Sequence, residues 1–257
     1  TALQESRSVE LPDAENIKGI WSTESDHLLF SLEDSSLLLK LNVEEGTIIQ
    51  QDSSDASDFS SLRFDTKTLA AGHLDSQERA VSSPFLQIHP FGLQLIVDKV
   101  LREWSPGHGK TIRAAAFNKR QIVLALDSLE MVRLAFDPNT GALNEESNKE
   151  NESFPVAIDL ISVAPLLRGR KTCRWIAIGT CEDSTIRILD SESQEGLEVT
   201  AIQALTSSPS SLRFSREVTP SSSSLILHVG LVGGILIRFV VDEANGQLTS
   251  PSSRFVG

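Results

Sequence analysis

The chain has 257 residues, 40% of them apolar, enough for one large β domain or two small ones with a sizeable core. A formal net charge of −12 repels phosphate backbones and makes nucleic acid a poor partner, with any contact at most indirect. No run of eighteen apolar residues is present to span a membrane, and the opening TALQESRSVELPDAEN lacks the basic-then-apolar pattern of a secretory signal. The chain does not begin with Met, and we read it as an excerpt of a longer polypeptide. Two cysteines, Cys173 and Cys181, build no disulfide framework and read as buried thiols of a reducing compartment.

Helical periodicity is nearly absent. Apolar residues come in short runs broken by Asp, Ser, Gly, Pro and Asn, such as HLLFSL from His27, QIVLAL from Gln121, RWIAIG from Arg174 and LILHVGLV from Leu225. Such runs predict strands, and unbroken apolar runs predict strands covered on both faces. In chain order, the first repeat candidate is HLLFSLEDSSLLLKLNVEEGTI from His27, with Lys40 in its second strand. PFLQIHPFGLQLIVD from Pro84 follows, with Gln94 near the same place. Three clearer copies are IVLALDSLEMVRLAFD from Ile122, IAIGTCEDSTIRILD from Ile176 and HVGLVGGILIRFVVD from His228. In these a small residue (Ala125, Gly179, Gly230) precedes an arginine (Arg133, Arg187, Arg238), and the arginines lie 54 and 51 residues apart. Two copies close on related turns, DPNTGALNE and DEANGQLTS. Repeats of about 45 to 55 residues, each with room for four strands, predict an all-β fold: a WD-repeat-like β-propeller with about five four-stranded blades. The Ser-rich stretches QQDSSDASDFSS, LTSSPSSL and TPSSSS read as solvated connections between units.

No stretch predicts a catalytic, cofactor or metal site. PGHGKT, Pro106 to Thr111, lacks the first glycine of a phosphate loop, where Trp104 stands, and is followed by a strand pattern, so it reads as a turn. His27, His73, His89, His108 and His228 are scattered away from metal-ligand spacings. Asp183, in the CED turn, is replaced by Ser128 or Leu129 and by Gly234 in the other copies, as turn chemistry allows. RGRKTCR, Arg168 to Arg174, reads as a solvated loop over a nuclear-import or RNA-touching patch. NES at Asn151 fits a glycosylation sequon by chance. The repeated arginines read as long stems lying over apolar strands with their guanidinium groups reaching water or a turn carboxylate, over a polar ring.

The stretches ELPDAENIKGIWS, VLREWSPGHGKTIRAAAFNKRQIVLAL, FDPNTGALNE, RWIAIGTCEDSTIRILD and GILIRFVVDEANGQLTSPSSRFVG run in order over nearly the whole chain. Together they resemble the second propeller of the triple-propeller superfamily: the splicing factor 3b subunit 3, the damaged-DNA-binding large subunit and the cleavage-and-polyadenylation large subunit. EWSPGHGKTI and GQLTSPSSRFVG are most similar to the splicing subunit, LPDAENIKGIWS is closer to the damaged-DNA-binding subunit, and IHPFGLQLIVDK follows the splicing pattern loosely, as a diverged paralogue would. The resemblance implies a seven-bladed propeller, with residues 1–257 a single, incomplete second-propeller segment whose bare strand edges leave it loosely folded in isolation. It also implies a non-catalytic scaffold that binds protein subunits of a large nuclear complex, with no membrane and no small-molecule substrate. The complex expected is the splicing factor 3b particle of the U2 snRNP. The alternative is a cullin-type ubiquitin ligase in DNA repair or heterochromatin, with this propeller contacting the cullin.

Overall fold

The computed structural model describes residues 16–23, 27–42, 47–50, 59, 61–75, 83–146, 153–167, 173–193, 196–219 and 222–256. They carry twenty strands in five four-stranded antiparallel sheets, and no α-helix among the described residues. The chain divides into two compact units, residues 1–105 and 106–257.

The first unit holds two blades. Blade 1 is β1 (Gly19–Ser22), β2 (His27–Ser31), β3 (Ser36–Asn42) and β4 (Thr47–Gln50); blade 2 is β5 (Ala70–His73), β6 (Phe85–His89), β7 (Gly92–Val97) and β8 (Val100–Trp104). Their shared core gathers Leu29, Leu38, Leu62, Ala71 and Phe85. A polar network is buried beside it. The Ser36 hydroxyl donates to Thr66 O at 2.9 Å, the Thr68 N–H donates to Ser31 Oγ at 3.0 Å, and Gln87 Nε2 donates to Thr68 Oγ1 at 2.8 Å. Every member has a partner, the condition under which such a network can be buried at little cost.

The second unit holds three blades. Blade 3 is β9 (Ile112–Phe117), β10 (Gln121–Leu126), β11 (Met131–Asp137) and β12 (Ala142–Glu145). Blade 4 is β13 (Leu160–Val163), β14 (Trp175–Thr180), β15 (Thr185–Asp190) and β16 (Glu198–Ala204). Blade 5 is β17 (Pro209–Val218), β18 (Ser223–Leu231), β19 (Ile235–Val241) and β20 (Leu248–Phe255). In every blade the strands follow chain order across the sheet, and β13 lies against both β9 and β17. QIVLAL and WIAIGT are buried at all positions, as their unbroken apolar runs predict.

Polar groups tie the second unit's blades together at set points. Ser162 Oγ accepts from Phe214 N at 2.9 Å, joining blades 4 and 5 in a buried setting. Asp159 takes Arg113 from blade 3, and its other oxygen accepts the Cys181 N–H at 2.7 Å. Gln247 Nε2, in the β19–β20 turn, donates to Thr200 O at 2.6 Å on the outer strand of blade 4.

Two connections differ from the sequence reading. TPSSSS joins β17 to β18 inside blade 5, where Thr219 N donates to Ser222 O at 2.8 Å, and does not separate two units. The second half of LTSSPSSL is strand, since β17 begins at Pro209. A hairpin turn and an inter-blade connection draw on the same small polar residues, so composition alone does not tell them apart. Of QQDSSDASDFSS, residues 51–58 and 60 lie outside the described residues.

Candidate interaction surfaces

The strand-closing turns set the geometry at one end of each hairpin. In DPNTG the Asp137 carboxylate accepts from Asn139 N and from the Thr140 hydroxyl, each at 2.9 Å, and Gly141 N donates back to Asp137 O at 2.8 Å. DEANG repeats it: Asp242 accepts from Ala244 N at 2.9 Å and Gly246 N returns to Asp242 O at 2.7 Å. Gly141 and Gly246 occupy the left-handed region at φ 64° and 74°. The related sequences are therefore one turn, built twice.

The three repeated arginines do not form a ring. Arg133 is opposite Val123 and Arg238 opposite His228, each two positions before its small residue, whereas Arg187 is opposite Ile178, one position before Gly179. That single offset turns Arg187 to the other face of its sheet. Arg133 Nη1 donates to Ser191 O in blade 4 at 3.0 Å, Arg187 pairs with Asp183 at 2.6 Å, and Arg238 pairs with Glu217 at 2.6 Å. Arg187 thus reaches a turn carboxylate, as read from sequence. Lys40 stands opposite His27, and Gln94 opposite Gln87.

Asp183 works as a turn staple. Burial raises its pKa, but hydrogen bonds from Thr180, Arg187 and Thr185 and the charge of Arg187 outweigh it and hold the carboxyl down to about 2. Its neighbour Cys181 corrects the expectation of two buried thiols: it sits exposed in the turn, while Cys173 is buried and its thiol pushed up to about 11, chiefly by burial. PGHGKT is a turn leading into β9. Lys110 pairs with Glu130, and the Asp127 carboxylate accepts Thr111 N and Oγ1, each at 2.9 Å. Of the histidines, His228 bonds Ser215 Oγ at 2.9 Å, and buried His89 accepts from Phe91 N at 3.3 Å. Among the described residues no three His, Cys, Asp or Glu gather as metal ligands would. Within RGRKTCR, 168–172 lie outside the described residues; Arg174 pairs with Asp190 at 2.8 Å and lies 4.5 Å over the Trp175 ring. Asn151 and Glu152 of the sequon also lie outside them.

Exposed apolar side chains collect on outer strands and hairpin tips: Val100, 58% exposed, and Leu101 on β8, Ile202, 64% exposed, and Val199 on β16, Phe91 and Val232 in turns. These blade rims, and the turns stapled by Asp137, Asp183 and Asp242, are the surfaces the fold presents for contact.

Comparison with known proteins agrees with this architecture. The family model for the RSE1/DDB1/CPSF1 second beta-propeller matches residues 3–257. The pre-mRNA-splicing factor rse1 of Neurospora crassa is 38% identical over 173 residues, which is 67% of this chain and 14% of that protein. The rse1 of Emericella nidulans is 30% identical over 251 residues, 96% of this chain and 20% of that protein. Spliceosome-associated protein 130 A of Arabidopsis thaliana is 34% identical over 182 residues, covering 67% of this chain and 14% of its own. The chain thus spans 14–20% of the length of these curated relatives. A solved structure of a functionally unknown protein from Desulfotomaculum acetoxidans superposes with a TM-score of 0.60 at 11% identity, over 94% of this chain and 70% of that one, a likeness of fold. With five four-stranded blades and a match over nearly its whole length, the chain belongs to the RSE1/DDB1/CPSF1 second β-propeller family.

Proposed function

We propose that this chain is a non-catalytic interaction scaffold of a nuclear pre-mRNA-splicing complex, the splicing factor 3b particle of the U2 snRNP. One observation carries the reading: within a family that also includes damaged-DNA-binding and polyadenylation members, the similar proteins are named as splicing factors in fungi and a plant. The ubiquitin-ligase reading draws no support from those names. In our reading the five blades form a single segment, 1–257, of a seven-bladed second propeller within a longer polypeptide. Its partners are protein subunits that meet the blade rims and turns, consistent with the net charge of −12. No helix among the described residues is long and apolar enough to cross a membrane. Isolation of the tagged full-length protein from its source, with sequencing of bound RNA and identification of bound proteins, tests the assignment. U2 snRNA with a HEAT-repeat splicing partner is the expected result; a cullin without spliceosomal RNA refutes it.

A further inference from the structure

His89 closes β6 and is only 4% exposed. Its Nδ1 accepts the Phe91 N–H across the β6–β7 turn at 3.3 Å. Burial, and then the Arg63 charge, hold its pKa at about 4, so the ring is neutral at pH 7. A neutral imidazole that accepts at one nitrogen carries its proton on the other, which makes Nε2–H a donor. That donor has no hydrogen-bond partner among the described residues. It is not sealed in, as Gln94 Oε1 is, and it opens to a pocket of about 210 Å³ that His89 lines.

The other walls of the pocket narrow what can meet this donor. They include Arg63, Phe91, Gly92 and Glu103. Gly92 stands opposite His89 and adds no bulk; a Cβ there would come 2.4 Å from Trp104 O. Arg63 is already engaged, with Nε and Nη2 donating to Asp65 at 3.1 and 2.8 Å. Glu103 Oε1 accepts from Gln94 Nε2 at 2.9 Å, which leaves Oε2 able to accept from an occupant. Glu103 lies close enough for its charge to be felt at both His89 and Arg63. Phe91 is 55% exposed, its ring centroid 6.3 Å from that of His89. The charges of Arg63 and Glu103 cancel, so the lining asks for a neutral occupant that can accept, donate and pack on an aromatic ring.

A carboxylate or phosphate would be repelled by Glu103, and a lysine or arginine cannot accept from His89. Phenylalanine would leave the donor unmet. Serine, threonine and the carboxamides lack an apolar body to fill the space beside Phe91. A phenol has the ring, and its one oxygen both accepts and donates. We propose that this pocket docks a tyrosine side chain of a partner protein, its hydroxyl accepting from His89 Nε2–H and donating to Glu103 while its ring packs on Phe91. The 257 residues contain no tyrosine, so a second copy of the segment cannot supply it. Tyrosine is among the side chains that most often anchor protein interfaces. The inference rests on the scaffold reading and gives it one point of contact; its test reads the pocket alone, so its failure leaves the assignment to a splicing complex standing.

The test is saturation-transfer NMR on the full-length protein, with N-acetyl-tyrosine N-methylamide as probe and the phenylalanine and phosphotyrosine analogues beside it. Saturable binding of the tyrosine probe is expected, with both analogues at least about tenfold weaker. His89→Phe, which removes the donor, weakens binding of the tyrosine probe about tenfold, and Phe91→Ala about threefold. Glu103→Lys, on an exposed strand position, replaces the acceptor with a donor, weakens the same probe about tenfold at an unchanged melting temperature, and serves if His89→Phe fails to fold. Absence of saturable binding, equal or tighter binding of either analogue, or binding indifferent to both Phe91→Ala and Glu103→Lys overturns the proposal.

Discussion

Gly246 is constrained twice, by its φ of 74° and by what a side chain would meet: an added Cβ would lie 2.4 Å from Thr200 Oγ1 and 2.6 Å from Trp175 Cζ3. Gly109 shares the conformation, φ 78°, with nothing within 4 Å. Gly109→Ala is expected to cost about 1–2 kcal/mol of backbone strain. Gly246→Ala adds overpacking against Trp175, for about 2–4 kcal/mol in all. Urea unfolding of the two variants checks this, and equal losses would mean the blade 4–blade 5 contact contributes nothing. His89 supplies a pH dependence. Burial first, and the Arg63 charge second, lower its pKa from 6.5 to about 4. A group whose folded pKa is depressed contributes stability above its unfolded value, so that stability is present above pH 6.5 and is lost as pH falls toward 4. The loss is on the order of 3 kcal/mol. Unfolding of the wild type and of His89→Gln between pH 7 and pH 4 should show a shallower slope in the variant.

Hairpins and inter-blade bonds act at the next scale. Val97 pairs directly with Val100, leaving Asp98 and Lys99 as a two-residue turn at φ 48° and 67°. That geometry favours Asp-Gly, so Lys99→Gly is expected to stabilise by on the order of 1 kcal/mol, read as a raised melting temperature. Ser162→Ala removes the hydroxyl without adding bulk and strands the buried Phe214 N–H, with an expected loss of about 1–3 kcal/mol by urea titration. A loss below a few tenths would show that the bond is replaced by solvent. The strands themselves were legible because a sheet covered on both faces demands an unbroken apolar run, as in QIVLAL and WIAIGT. The arginine repeat was legible as spacing but not as a surface, since a hairpin one residue longer leaves the count unchanged and reverses the face.

For the whole molecule, repeat period and turn chemistry reached the fold because each blade needs a neighbour to bury its faces. They did not reach the biological role, because rims and turns vary freely once the blades are built. The family match and the names of its relatives support the role proposed above. An acidic chain that works as a scaffold should meet proteins and leave RNA to others. Cross-linking of the native complex, read by mass spectrometry for protein links and after ultraviolet light for RNA adducts, tests this most directly. Residues 1–257 are expected to link to protein subunits of the splicing particle, with RNA adducts rare; links to a cullin, or a majority of RNA adducts, would contradict the account.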